Sequence, residues 1–190
     1  MVTTNGDVIG HMILIWLLVA LSVLDAENLW LPNLLTIPGI VLGILSAAAD
    51  YSYYFTVEWT DFFVNEPYSP INLLVARLLA VIAAAALILL IRWLYWLICR
   101  REGFGLGDAK LMALIAAWLG LPGALLSFVL GVVLGTLVAI ILRLIPSAQR
   151  DSESWWLSKF PLGTVLCIGG IISSLWGQQI LNVYFRWAGF

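Results

Sequence analysis

The sequence predicts an all-α integral membrane protein, a polytopic bundle of about six transmembrane helices in a single membrane-embedded domain over residues 1–190. Two observations carry this. Of the residues, 63% are hydrophobic and 11% charged, against roughly 45–50% and about 25% in an ordinary soluble domain. The apolar residues also come in runs near the ~20 residues that cross a bilayer. A domain of this size leaves much of its surface uncovered on folding, so lipid must cover the surplus. This composition excludes a soluble enzyme and a disordered chain. With Lys+Arg 9 against Asp+Glu 11, no nucleic acid is expected as a partner; the lipid bilayer is.

The spans are expected near 8–24, 34–49, 71–98, 109–121, 124–145 and 161–182. The residues before the first, Met-Val-Thr-Thr-Asn-Gly-Asp, hold no Lys or Arg, and no small-residue cleavage pattern follows the span. A retained span is expected rather than a secretory signal. The second and fourth spans are short. Pro32, Pro38, Pro122, Pro146 and Pro161 fall in turns or at expected helix starts, where a missing N–H costs little. Gly131 and Gly135 in the fifth span form a GxxxG, which favours close helix packing within the chain. No internal repeat or linker divides the sequence.

Orientation follows from the basic residues. Arg100, Arg101, Lys110, Arg143, Arg150 and Lys159 follow the third span, open the fourth, or lie between the fifth and sixth. The loop 50–70 carries Asp50, Glu58, Asp61 and Glu66, no Lys or Arg, and eight aromatics from Tyr51 to Tyr68. That loop is expected outside, at the aromatic belt of the membrane, and the basic segments inside. Arg77 runs against the pattern, and an arginine there is expected to snorkel to the interface. Trp93, Trp96, Trp155 and Trp156 suit interfacial anchoring.

Two acids stand apart from those in loops. Asp25 ends the first span, and Asp108 opens the fourth within Gly103-Phe104-Gly105-Leu106-Gly107-Asp108-Ala109-Lys110-Leu111. The orientation, assigned without either residue, puts both at the cytoplasmic edge of the bilayer. Ionisable groups there are functional candidates by default. Two carboxylates sharing a poorly solvated site lose their protons in coupled steps. Over the intermediate range one takes a proton from water while the other donates to a carbonyl oxygen, the chemistry of aspartic proteases. Cys99 and Cys167 lie in apolar runs without a CxxC, and His11 is the only histidine, on the far side of the membrane. No metal site and no cofactor is expected.

Gly103, Gly105 and Gly107 let the backbone bend without strain and admit a second chain closely. An extended substrate needs that access. The structural alternative makes Asp108 a helix N-cap in a Gly-rich turn. Lys110 is either an interfacial anchor or a cation acting on the dyad. Glu27 and Glu102 are either solvated acids or a site for a basic peptide. The rival reading for the whole chain is a non-catalytic membrane scaffold or small proton-coupled transporter.

The segment Asp25-Ala26-Glu27-Asn28-Leu29-Trp30-Leu31-Pro32-Asn33-Leu34-Leu35-Thr36, the segment from Gly103 to Leu111, and more loosely Phe160-Pro161-Leu162-Gly163-Thr164-Val165-Leu166 resemble, in order, the three motifs of the type IV prepilin peptidase family, membrane aspartic proteases of the GxGD kind. The resemblance implies that Asp25 and Asp108 are the catalytic pair. It also implies that prepilin, pseudopilin or archaellin-like precursors are cut at a short basic leader, on the cytoplasmic face of the cell inner membrane. The sequence looks more like the short forms of that family, without the cysteine zinc site, and N-methylation is not expected. Asn33 stands where many members have Asp, Leu162 and Thr164 loosen the third motif, and loop 50–70 lengthens the distance between the aspartates. Presenilin and signal peptide peptidase share Gly-Leu-Gly-Asp but place their first aspartate on the preceding span, making them the more distant comparison.

Overall fold

The structure, a computed structural model, describes residues 5–28, 31–49, 70–100, 105–144 and 162–188. These form five helices: α1 (Asn5–Asn28), α2 (Asn33–Ala49), α3 (Pro70–Cys99), α4 (Leu106–Leu144) and α5 (Leu162–Ala188). Four contain stretches long and apolar enough to cross a membrane, namely Ile9–Asn28, Leu74–Ile98, Leu106–Ile141 and Leu162–Tyr184. The apolar stretch of α2, Asn33–Ser46, is shorter. The protein is therefore all-α and membrane-spanning, but the described residues give five helices where about six were expected. The expected loop 50–70, Arg101, Glu102, Gly103, Arg150, Trp155, Trp156 and Lys159 lie outside the described residues, apart from Pro70.

The difference in number comes from α4. The spans expected at 109–121 and 124–145 lie in one 39-residue element. A straight helix of that length would measure about 58 Å, roughly twice the ~30 Å hydrocarbon layer. It is not straight. Gly120 has φ 73° and ψ −179°, a conformation open essentially to glycine alone. Packing on α5 shows that the chain reverses there. Gly170 meets both Ile115, before the break, and Ser127, after it. The Ser127 hydroxyl donates to Leu166 O at 3.3 Å, and the Ser173 hydroxyl donates to Gly123 O at 2.9 Å. Thus 121–144 runs antiparallel to α5, while 106–119 runs alongside it.

The first half of α4 is the centre of the bundle. Every residue from Leu111 to Ala117 is buried, as a helix apolar on all sides should be. Glycines on its neighbours let the helices approach: a Cβ built on Gly43 would lie 2.7 Å from the Trp118 ring, and one on Gly39 2.8 Å from Leu114 Cδ1. The expected GxxxG contact is internal, since a Cβ at Gly131 would lie 3.1 Å from Leu166 Cα. Pro38 lies inside α2, not in its first turn.

Arg77 corrects another expectation. It does not snorkel but is 7% exposed, and its Nη1 donates to Trp118 O at 2.7 Å. An uninterrupted helix would offer that carbonyl the N–H of residue 122, and Pro122 has none. Arg77 fills the vacancy. The indole of Trp118 in turn donates to Gly39 O at 2.9 Å, so α2, α3 and α4 are joined near the reversal. Trp93 and Trp96 are exposed on α3.

Candidate active site

Asp25 and Asp108 are both buried, at 6% and 8% exposure. Asp25 sits in the last turn of α1, where the partial negative charge of the helix end disfavours an acid. The opposite pole of another helix compensates. The Thr164 backbone N–H, in the first turn of α5, donates to Asp25 Oδ2 at 2.7 Å, and the Thr164 hydroxyl lies 3.1 Å from the same oxygen. A helix N-terminus has N–H groups without intrahelical partners, and a carboxylate satisfies them. Gly163 makes the approach possible by presenting no side chain to Asp25.

Asp108 opens α4. Its Oδ2 accepts the Gly105 N–H at 3.1 Å, the return bond of a capping box, in which the third helical residue satisfies the N-cap backbone. Asp108 is therefore not itself the N-cap; Gly105 is. Leu31, six residues after Asp25, packs against Gly107, the neighbour of Asp108. The two acids share one end of the bundle.

The turn between α1 and α2 completes that end. Leu35 and Thr36 N–H donate to Pro32 O at 3.1 and 3.2 Å, starting α2 directly after Pro32. Leu31 packs against Gly107, where a Cβ would lie 3.0 Å from Leu31 Cδ1. Gly107 was expected to leave room for a second chain. That room is taken by Leu31 of the same chain, and Gly105 alone of the described glycines in the motif is exposed. Lys110 Nζ donates to Asn33 Oδ1 at 2.7 Å and so ties the start of α2 to α4. Glu27 is exposed, one residue from the end of α1. His11 lies near the level of Gly10 and Trp118, some 21 Å along α1 from Asp25 by helical rise. Among the described residues, no three of His, Cys, Asp and Glu gather to hold a metal ion.

Two residues of this site carry no expectation from composition or spacing, Gly163 and Thr164. Their signal was the loose resemblance of the segment from Phe160 to Leu166 to a family motif, which gave neither residue a role. Nothing local to it indicates that the partner is a carboxylate 139 residues earlier.

A family model described as the type IV leader peptidase family matches residues 12–140, a stretch holding both aspartates but neither Gly163 nor Thr164. The chain is similar to a prepilin leader peptidase/N-methyltransferase of Pseudomonas aeruginosa, 32% identical over 185 residues, covering 95% of this chain and 54% of that protein. Proteins of the same description from Pseudomonas putida and Aeromonas salmonicida are 31% identical over 177 residues and 30% over 185, covering 93% and 96% of this chain and 53% and 54% of theirs. The chain spans about half the length of the curated relatives it matches. No solved structure matches.

Proposed function

The chain belongs to the type IV leader peptidase family, and on that premise we propose that it is a membrane aspartic endopeptidase cleaving the short basic leader of prepilin-like precursors. The relatives are named for two activities, and the peptidase one is assigned here because the matched residues include both buried aspartates. The observation that carries the reading is the pairing of Asp25 and Asp108, both buried at one end of the bundle.

In the proposed reaction one carboxylate takes a proton from water as the water oxygen bonds to the scissile carbonyl carbon. The other, protonated, donates to the carbonyl oxygen. Collapse of the tetrahedral species breaks the C–N bond as a proton passes to the leaving nitrogen. No residue beyond the pair need change its protonation state.

We assign the site to the cytoplasmic face. The helix directions support this: α1 and α3 run toward the aspartate end and α2 away from it, which groups Arg100 and Lys110 at that end, the side basic residues favour. With the two halves of α4 counted separately, this assignment takes the chain across the bilayer six times. Glu27, exposed beside Asp25, offers a basic leader a counter-charge.

Asp25→Asn and Asp108→Asn test the proposal in the full chain, reconstituted with a prepilin-like substrate that has a basic leader ahead of an apolar helix. Each variant should insert normally and lose cleavage. Cleavage at the wild-type rate by either variant overturns the pairing, and rescue of chelator-treated enzyme by added metal overturns the two-carboxylate mechanism.

A further inference from the structure

Thr164 does more than fill space beside the pair. Its hydroxyl lies 3.1 Å from Asp25 Oδ2 and 3.2 Å from Ser22 O, while its backbone N–H donates to the same Oδ2 at 2.7 Å. A hydroxyl has one hydrogen and two acceptor lone pairs. It cannot donate fully to both oxygens at once. With the hydrogen toward Oδ2 it stabilises an ionised Asp25, because a hydrogen bond to a charged acceptor is stronger than one to a neutral carbonyl. With the hydrogen toward Ser22 O, a lone pair faces Oδ2, an arrangement suited to a carboxyl carrying its proton on that oxygen. Both positions are available by rotation about one bond, with no movement of the helices.

We propose that Thr164 is the positioning residue of Asp25, its hydroxyl hydrogen following the charge on that carboxylate through the reaction. The inference rests on the proposed peptidase activity and deepens it. Gly163 fixes the arrangement from below, since any side chain there would occupy the space of the carboxylate. Among the described residues, Asp108 receives no such support. Its described partner is the Gly105 N–H alone, which does not rotate. The pair is thus asymmetric, with the adaptable contact on Asp25.

The test compares Thr164→Val, which keeps the shape and removes the hydroxyl, with Thr164→Ser, which keeps the hydroxyl. In the reconstituted full chain, Val should lower kcat about tenfold or more with KM unchanged, the scale of one lost hydrogen bond to a charged group. Ser should restore kcat to within about threefold of the parent. Infrared spectra across an acid titration provide a readout independent of turnover. The carboxylic C=O stretch that disappears in Asp25→Asn should shift to higher wavenumber in Val and return in Ser. Wild-type kcat in Val, a Ser variant as impaired as Val, or one unshifted C=O band in all three proteins overturns the inference while leaving the peptidase reading intact. A parent chain that cleaves no such substrate overturns that reading, and the inference with it.

Discussion

Gly163 and Asp25 occupy one another's space: a Cβ built on Gly163 would lie 2.7 Å from Asp25 Oδ2 and 2.8 Å from its Cγ. The carboxylate therefore seats on the N-terminal turn of α5 only because residue 163 has no side chain. Gly163→Ala should displace Asp25 from its Thr164 donors and reduce cleavage at least about a hundredfold, in keeping with what misplacement of a reacting group costs. Initial rates on a prepilin-like substrate measure it, with parent-like insertion as the control.

The Arg77 contact at the other end of the bundle bears on stability. Its guanidinium serves a carbonyl that Pro122 leaves unpartnered, while its own Nε is buried without a partner. Arg77→Met should lower the unfolding free energy by about 1–3 kcal/mol, the loss of a charged hydrogen bond reduced by removal of that orphan. Reversible unfolding in mixed micelles reads this directly, and cleavage per folded molecule should stay at the parent level.

Gly120 is the pivot of the reversal in α4. A side chain at φ 73° and ψ −179° costs about 1–3 kcal/mol in backbone strain, so Gly120→Ala should destabilise the fold by that amount. Gly10→Ala is the matched comparison. A Cβ there would meet Trp118 at an ordinary 3.6 Å, and alanine favours the helix by about 1 kcal/mol over glycine. The two substitutions should move the unfolding midpoint in opposite directions.

Lys110 and Asn33 bridge α4 and α2 at the aspartate end. A double-mutant cycle on Asn33→Ala and Lys110→Met should show a coupling of about 0.5–1.5 kcal/mol, the net value of one hydrogen bond. Zero coupling would mean that the contact does not contribute to joining the helices.

Much of this molecule was legible in one dimension. An 11% charged minority in a 63% hydrophobic chain determines a membrane protein, because no fold of this size can bury so much apolar surface by itself. Apolar run lengths located the helices, since each turn of a helix in lipid must satisfy its own backbone. Asp25 and Asp108 stood out because a charge is costly at those positions. Two spans were expected across 109–145, but that a single glycine with positive φ, not a polar linker, turns the chain there was not legible. Arg77 read as a snorkelling cation, because Trp118 O loses its partner only once Pro122 and the break are seen together. Gly107 read as open space, although Leu31 fills it. Lys110 read as an interfacial anchor or a cation acting on the dyad; its bond to Asn33 was not legible. Tertiary structure alone decided that Thr164 meets Asp25. Composition and periodicity are properties of neighbours along the chain, whereas a hydrogen bond across 139 residues exists only because helix packing brings the end of α1 to the start of α5.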